Sequence, residues 1–190
     1  MKYFQTSCNL TILTPHASKS VIQYARGKDL KINGCCLKFN TFKEKDEIFY
    51  VCQNCRIELK KVTEAALTSF YLFLDQDKNF PWPDYQGKTF YIQDCFRDME
   101  HIEIQEAVRS ILRKMNIHYI ESGVQDMCGT MYYHGQRTEN WSEEKKKESM
   151  IPYVQQFDDI LVITYCNRCR KDILLAQHEA YHVLELIFPE

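Results

Sequence analysis

The sequence contains two stretches that decide its fold, DEIFYVCQNCRIEL (46–59) and DDILVITYCNRCRKDIL (158–174). In each stretch an acidic start leads into an apolar run, and a C-x-x-C motif follows directly. Apolar runs without alternation are typical of strands that are buried on both faces of a parallel sheet. The two stretches therefore predict buried parallel strands that end at cysteines.

The same order of elements precedes both stretches, so the chain contains a duplication. The first copy begins with KYFQTSC (2–8), continues through a helical stretch, and reaches a strand that ends in INGCC (32–36). The second copy begins with KTFYIQDC (88–95), continues through a helical stretch, and reaches VQDMCG (124–129). An internal repeat of this length indicates one supersecondary unit that is used twice.

Helices separate the predicted strands, which is the pattern of βαβ units. In the first copy Thr14 and Pro15 are suited to start a helix and Gly27 to end it. In the second copy one apolar face recurs at helical spacing and consists of Ile104, Ala107, Val108, Ile111, Leu112 and Met115. We therefore predict an α/β fold of two tandem related Rossmann-like halves with parallel sheets and with cysteine sites at the strand ends.

The predicted boundaries are a first repeat at 1–74, a linker at 75–87 that contains two prolines, and a second repeat at 88–190. The second repeat carries an insertion, because 37 residues separate Cys128 from Cys166, against 15 between Cys36 and Cys52. The insertion contains WSEEKKKE (141–148), which we interpret as a solvated helix face.

Composition narrows the class of protein. The chain has 190 residues, a formal net charge of -2 and 45% apolar residues, so it can bury a core without disulfides. The near-neutral charge argues against a nucleic-acid partner. The longest apolar stretch, FYLFL (70–74), is far too short for a membrane span, and the N-terminus lacks a signal peptide, so we expect a cytoplasmic protein.

The nine cysteines all fall inside the duplicated pattern. In a reducing compartment clustered thiols more often bind metal or do redox work than form disulfides, and an odd count does not suit a closed disulfide framework. Thiolates favour zinc or iron–sulfur clusters over hard cations. The candidate ligands are Cys8, Cys35, Cys36, Cys52 and Cys55 in the first repeat and Cys95, Cys128, Cys166 and Cys169 in the second.

The cysteines follow one order twice: a single Cys, then a Cys-Cys pair, then a C-x-x-C motif. This order resembles that of the cysteine-rich CCG domain family. The family includes the B-type component of heterodisulfide reductase and the iron–sulfur components of glycolate and lactate oxidation systems. The resemblance implies that the five cysteines of the first repeat bind an iron–sulfur cluster of the non-cubane type, at which disulfide chemistry occurs. It also implies a partner protein or other redox-complex subunits that donate electrons, and a small thiol or disulfide substrate.

The second repeat departs from this pattern, because Met127 stands where the family has the first Cys of the pair. Its four cysteines suffice for an ordinary 4Fe–4S cluster or for tetrahedral zinc. The first repeat follows its pair with Leu37 instead of Gly and has a short loop, which leaves its cluster type open.

Two functions follow. The leading one is an oxidoreductase component that binds iron–sulfur clusters and transfers electrons or reduces a thiol or disulfide. The alternative is a non-catalytic interaction protein that zinc or a cluster stabilises. No Gly-rich phosphate loop is present, so we expect another protein to supply the electrons.

Histidines offer a competing motif, because His178 to His182 match the H-E-x-x-H pattern of zinc proteases. We interpret this segment instead as part of an amphipathic C-terminal helix with both histidines exposed, and leave open whether they bind a metal. His134 follows Cys128 closely enough to reach the site of the second repeat.

Overall fold

The computed structural model describes residues 1–36, 41–123, 132–133, 136–138 and 140–190, and within these residues the chain forms two parallel four-stranded sheets. The first sheet has the order β2-β1-β3-β4. Its strands are β1 (Lys2–Gln5), β2 (Lys31–Asn33), β3 (Glu47–Tyr50) and β4 (Ala66–Ser69). The remaining strands are β5 (Thr89–Gln93), β6 (His118–Glu121), the small hairpin β7 (Tyr132–Tyr133) and β8 (Gln136–Arg137), β9 (Val162–Thr164) and β10 (Ala180–His182).

The second sheet has the order β6-β5-β9-β10, which is the order of the first sheet repeated. In both sheets the first strand lies between the second and the third, the fourth strand pairs with the third, and all pairs are parallel. The predicted fold class of two related α/β halves is therefore confirmed. The boundaries at 1–74, 75–87 and 88–190 stay a prediction, although the strands of the two sheets fall at 2–69 and 89–182.

Helices follow the strands in matching places. The first repeat contains α1 (Cys8–Leu13), α2 (Pro15–Gly27), α3 (Gln53–Leu59) and α4 (Phe70–Asp75). The second repeat contains a 3₁₀ helix (Phe96–Asp98), α5 (Ile102–Lys114), α6 (Glu143–Gln155), α7 (Asn167–Leu175) and α8 (Val183–Ile187). All six apolar residues that predicted the helix of the second repeat are buried at α5 and its C-terminal end, which confirms that prediction.

One hydrophobic core joins the two repeats. It combines buried side chains of the first sheet and α4, such as Phe4 and Phe70, with those of the second sheet, such as Phe90 and Ile163. At the boundary, the ring of Tyr71 stands edge-on to the ring of Tyr165 with 5.8 Å between centroids. Because each large apolar side chain contributes about 1.5–3 kcal/mol when it is fully buried, this shared core stabilises one repeat against the other.

The segment that matches H-E-x-x-H does not form the predicted helix. Helix α7 ends at Leu175, and Ala180 to His182 form β10 at the edge of the second sheet. His178 is partly exposed and hydrogen bonds through Nε2 to the carbonyl oxygen of Ile160 at 3.0 Å, whereas His182 is fully buried. The prediction of two exposed histidines on one helix is therefore wrong, because a three-residue strand interrupts the helical segment.

The insertion of the second repeat contains β7, β8 and α6. Ser142 caps α6, and the charged residues that follow it, 143–148, are exposed or half-buried, as predicted for a solvated face. No helix in the described part of the chain is long and apolar enough to cross a membrane.

Candidate metal centre

The cysteines of the first repeat follow the carboxyl ends of three neighbouring strands. Gln5, Asn33 and Tyr50, the last residues of β1, β2 and β3, are paired in register. The chain continues by two or three residues from each of them to a cysteine. Because carboxyl ends of parallel strands share one edge of a sheet, these cysteines share that edge, where open α/β sheets place their ligands.

The N-termini of helices position three of the five cysteines of the first repeat. Cys8 is the first residue of α1, whose N-terminus Ser7 caps by accepting a hydrogen bond from the backbone N–H of Leu10 at 3.3 Å. Cys52 precedes α3, and Cys55 lies in the first turn of that helix. The exposure of the set decreases along the chain: Cys8 is exposed, Cys35, Cys36 and Cys52 are half-buried, and Cys55 is buried.

A buried glutamine in each repeat fastens the loop that carries the cysteines. The side-chain amide of Gln5 donates to the carbonyl oxygens of Thr6, at 2.8 Å, and of Gly34. Gln93 in the second repeat donates to the carbonyl oxygen of Asp94 at 2.9 Å and accepts from the hydroxyl of Ser122 at 3.2 Å. The last residue of the first strand thus ties the first cysteine loop to the second strand in both repeats.

All five cysteines of the first repeat line one cavity of about 570 Å³. The other residues that line it are Ser7, Asn9, Asn54, Glu58 and Arg97. Thiols within the set hydrogen bond to one another, and the pairs are Cys8 with Cys35, Cys36 with Cys55, and Cys52 with Cys55. The described cysteines form no disulfide. The structure therefore brings together the five residues that the sequence grouped.

Electrostatics divide the C-x-x-C motif of this site into one acidic and one weakly acidic thiol. The hydrogen bond from the Cys55 thiol and the backbone N–H groups of Cys55 and Asn54 together lower the pKa of Cys52 to about 6, although burial opposes them. The same pair raises the pKa of Cys55, which burial raises further. Because the thiolate is the form that binds metal, Cys52 is prepared for ligation near neutral pH.

The second repeat places three of its cysteines in the same arrangement. Cys95 precedes the 3₁₀ helix after β5, Cys166 precedes α7 after β9, and Cys169 lies in the first turn of α7. The Cys166 thiol hydrogen bonds with both other thiols, and these two contacts lower its pKa well below the usual value. Cys128, with Met127, Gly129 and His134, lies outside the described residues, as does Leu37 of the first repeat.

A small cavity of about 80 Å³ lies between the two repeats. Cys52 lines it from the first repeat, and Cys95 and Cys166 line it from the second. The two C-x-x-C motifs are close enough for the charge of Cys166 to raise the pKa of Cys52. Arg97, from the second repeat, lines both this cavity and the five-cysteine cavity, so one cation faces both groups of thiols.

Sequence reasoning missed three buried polar residues around these thiols. His182 lines the cavity between the repeats, and burial lowers its pKa to about 3. Burial raises the pKa of Asp98 to about 8, although the charge of Arg56 opposes this and the charge of Cys166 adds to it. The hydroxyl of Tyr71 is fully buried, and the charges of Asp98, Cys166, Cys52 and Cys95 raise its pKa beyond the effect of burial. An alignment of the repeats beyond C-x-x-C would have placed His182 opposite Ser69, since both end a fourth strand and precede a helix.

The donor set fits a metal that prefers sulfur. Five thiols on one cavity, with a nearby guanidinium, suit zinc or an iron–sulfur cluster better than a hard cation. In the described part of the chain these thiols share the cavity without converging on one point, since no three His, Cys, Asp or Glu side chains are grouped tightly enough to hold a single metal ion.

A comparison with protein families finds a match in the second repeat. Residues 89–173 match the family model of CCG, the cysteine-rich domain. The second repeat therefore resembles a CCG domain. The match begins with β5 and ends within α7, so it includes Cys95, Cys128, Cys166 and Cys169. The first repeat lies outside the matched CCG segment although its strand order is the same. A cysteine-rich domain of the CCG type is consistent with binding of a metal or cluster.

No curated protein matches the sequence. Two solved structures of racemases are similar to the chain. Picrophilus torridus aspartate racemase has a TM-score of 0.42 and 10% identity, covering 98% of this chain and 90% of that one. Glutamate racemase RacE1 from Bacillus anthracis has a TM-score of 0.37 and 9% identity, covering 95% of this chain and 64% of that one. At this level of similarity neither comparison bears on the function.

Proposed function

We propose that the chain is an iron–sulfur oxidoreductase component, which transfers electrons or reduces a thiol or disulfide of the heterodisulfide reductase B type. The first repeat would hold a cluster on its five cysteines, and the second repeat would hold a 4Fe–4S cluster on its four. The observation that carries this proposal is the single cavity that all five cysteines of the first repeat line.

The number of donors favours a cluster over zinc in the first repeat. Tetrahedral zinc uses four ligands, and the cavity presents five thiols. A cluster with several irons can use every one of them. The cavity volume of about 570 Å³ also provides room for a group much larger than one ion.

The five-cysteine cavity would allow redox chemistry on its solvent-exposed side. When bound, a cluster accepts and donates one electron at a time, whereas reduction of a disulfide needs two. Cys8 is exposed, so a small thiol or disulfide can approach from its side, whereas Cys55 is buried. Arg97 faces both cavities and would stabilise negative charge on either group of thiols. We infer that a partner protein supplies the electrons.

The decisive experiment is metal analysis of protein that is purified without oxygen. Iron, inorganic sulfide and zinc are measured per chain, together with the visible and EPR spectra. Roughly four to eight irons with matching sulfide would support the proposal. One or two zincs without iron or sulfide would overturn it and favour the alternative, a zinc-stabilised interaction protein.

Two reciprocal variants assign the clusters to the repeats. Cys36→Ser removes one thiol of the first repeat, so the spectrum of that cluster should change and that of the second repeat should not. Cys169→Ser is the matched variant in the second repeat and should have the reverse effect. Identical spectral changes in the two variants would contradict two independent sites.

A further inference from the structure

Hydrogen bonds from Thr6 join the loop after β1 to the loop after β2. The backbone N–H of Thr6 donates to the carbonyl oxygen of Asn33 at 3.1 Å. The hydroxyl of Thr6 lies 3.0 Å from the same oxygen and 3.1 Å from the carbonyl oxygen of Gly34, so it donates across the same gap. Cys8 follows Thr6 by two residues, and Cys35 follows Gly34 directly. These contacts therefore hold the two loops that carry Cys8 and Cys35 side by side.

The thiols on these two loops contact each other. Cys8 and Cys35 are joined by a hydrogen bond between their side chains. The backbone of Cys8 is also fixed, because it begins α1 and Ser7 caps that helix. A disulfide requires two sulfurs that can approach to about 2.05 Å without movement of the backbone. Two thiols that already touch on joined loops are placed to meet this requirement by rotation of their side chains.

Solvent reaches this pair more readily than the other thiols of the five-cysteine cavity. Cys8 is exposed and Cys35 is half-buried. Cys55 is buried, and it hydrogen bonds with both Cys36 and Cys52. A small disulfide that approaches the cavity from solvent therefore meets Cys8 first, with Cys35 beside it.

A comparison of the two repeats singles out Cys35. Four cysteines of the first repeat have counterparts in the second, and the matched pairs are Cys8 with Cys95, Cys36 with Cys128, Cys52 with Cys166, and Cys55 with Cys169. Met127 stands at the place of Cys35. Four thiolates suffice for zinc or for a 4Fe–4S cluster, so a metal site common to both repeats does not need Cys35. Its contact with Cys8 gives Cys35 a role that is confined to the first repeat.

We propose that Cys8 and Cys35 are a redox-active dithiol that reduces small disulfides by thiol–disulfide exchange. The thiolate of Cys8 attacks one sulfur of a disulfide RSSR, forms a mixed disulfide and releases RS⁻. The thiolate of Cys35 then attacks the Cys8 sulfur, forms the Cys8–Cys35 disulfide and releases the second RS⁻. The protein loses two electrons and two protons, and the substrate gains them as two RSH.

This activity goes beyond the proposed function, because it needs no metal. Cys8 cannot be a disulfide partner and a cluster ligand at the same time, so the Cys8–Cys35 disulfide and a cluster that uses Cys8 exclude each other. Burial raises the pKa of Cys8, which slows its attack on a disulfide. The exchange therefore depends on the contact between the two thiols and on the exposure of Cys8, and not on an unusually acidic thiol.

The exchange is tested on the reduced, metal-free full chain with glutathione disulfide as the substrate. Samples are quenched in acid at intervals, free thiols are alkylated, and the disulfides are mapped by mass spectrometry with fragmentation between residues 35 and 36. We expect the Cys8–Cys35 disulfide to form before any other, with release of two molecules of glutathione. If the first disulfide joined Cys52 to Cys55 or Cys36 to Cys55, or if none formed, the proposal would be overturned. This measurement on the wild type needs no variant.

Two variants test the order of the steps. Cys35→Ser should stop at the mixed disulfide between Cys8 and one glutathione, with loss of the second release. Cys36→Ser is the matched control at the neighbouring position and should still form the Cys8–Cys35 disulfide. Release of both molecules of glutathione by Cys35→Ser, at the rate of the wild type, would show that Cys35 is not the second thiol and would overturn the proposal.

Metal loading separates this proposal from the proposed function. The chain with the Cys8–Cys35 disulfide should take up less iron than the reduced chain, and a phosphine reductant should restore the uptake. Equal uptake while the disulfide persists would overturn the mutual exclusion. Failure of the reduced chain to load iron would overturn the proposed function, and the disulfide map would still decide whether Cys8 and Cys35 exchange with a disulfide.

Discussion

Replacement of Asp98 by Asn should remove a pH-dependent cost to folding. Asp98 is fully buried, its carboxylate oxygens lack a satisfactory hydrogen-bond partner in the described structure, and burial raises its pKa from 3.8 to about 8. A group whose pKa is higher in the folded than in the unfolded protein stabilises the fold most below its unfolded pKa. That stability is lost as the pH rises through the folded pKa.

The magnitude follows from the interval between the two pKa values. Between pH 5 and pH 8 the unfolded chain has an ionised Asp98 and the folded chain must keep it protonated. Each pH unit in this interval therefore lowers the free energy of unfolding by about 1.4 kcal/mol. Over this interval the free energy of unfolding of the wild type should fall by about 4 kcal/mol relative to Asp98→Asn, whose amide does not titrate.

Urea unfolding of the reduced, metal-free chain at pH 5 and pH 8 measures this difference. Asp77→Asn is the control, because Lys28 and Tyr24 lower the pKa of Asp77 to about 2. The stability that Asp77 contributes is present above its unfolded pKa and is lost only as the pH falls toward 2. The free energy of unfolding of Asp77→Asn should therefore run parallel to that of the wild type between pH 5 and 8. If the free energy of unfolding of Asp98→Asn also ran parallel to that of the wild type between pH 5 and 8, the raised pKa of Asp98 would be refuted.

The other predictions concern the second repeat and the proposed metal. Arg109 is 8% exposed and pairs with Asp94, at 2.7 Å, and with Glu121, so Arg109→Ala should lower the free energy of unfolding by about 3–5 kcal/mol by leaving Asp94 unpaired. Lys171→Ala, which breaks an exposed pair, should cost no more than about 1 kcal/mol by the same urea titration. Phe157→Ala should lower the free energy of unfolding by about 3–5 kcal/mol, because Phe157 is fully buried in a cluster with Met150, Tyr153 and Val162, and an unchanged urea midpoint would contradict that packing. Removal of bound metal by a chelator should lower the unfolding temperature in calorimetry, since a ligand that binds only the folded chain stabilises it.

The candidate site of the first repeat was predictable because its determinants are local. Each of the cysteines follows a strand within a few residues, and the duplication showed which strands correspond. Parallel pairing then brings Cys8, Cys35 and Cys52 to one edge whatever the details of packing. The buried face of α5 was equally clear, because its period is a property of the segment alone.

The fourth strand of each sheet was not predictable in this way. β4 and β10 contain four and three residues, too few to establish a period, and the segment around β10 has helical spacing. Reading it as a helix placed His182 on an exposed face, whereas the edge strand carries it into the interior. Pairing of β10 with β9 decides the outcome, and that pairing is a tertiary contact.

Contacts between the repeats were also beyond sequence reasoning. The cavity that brings Cys52 near Cys166 depends on how two sheets pack through a shared core, for which no local pattern exists. Arg97 illustrates this, since it belongs to the second repeat and yet lines the five-cysteine cavity of the first. Nothing in its neighbourhood along the chain distinguishes it from a surface arginine.

The shared core has a consequence for how the two copies can diverge in evolution. Side chains such as Tyr71 and Tyr165 touch across the boundary, so a substitution in one copy changes the packing of the other, and the core positions must change in concert. Cys8, Cys35 and Cys36 of the first repeat are not part of this core, so substitutions there escape that coupling, whereas Cys95 and Cys166 of the second repeat pack within it or against it. A duplicated protein built in this way can specialise its two thiol sites separately, as with Cys35 in one copy and Met127 in the other, while its scaffold is inherited as one unit.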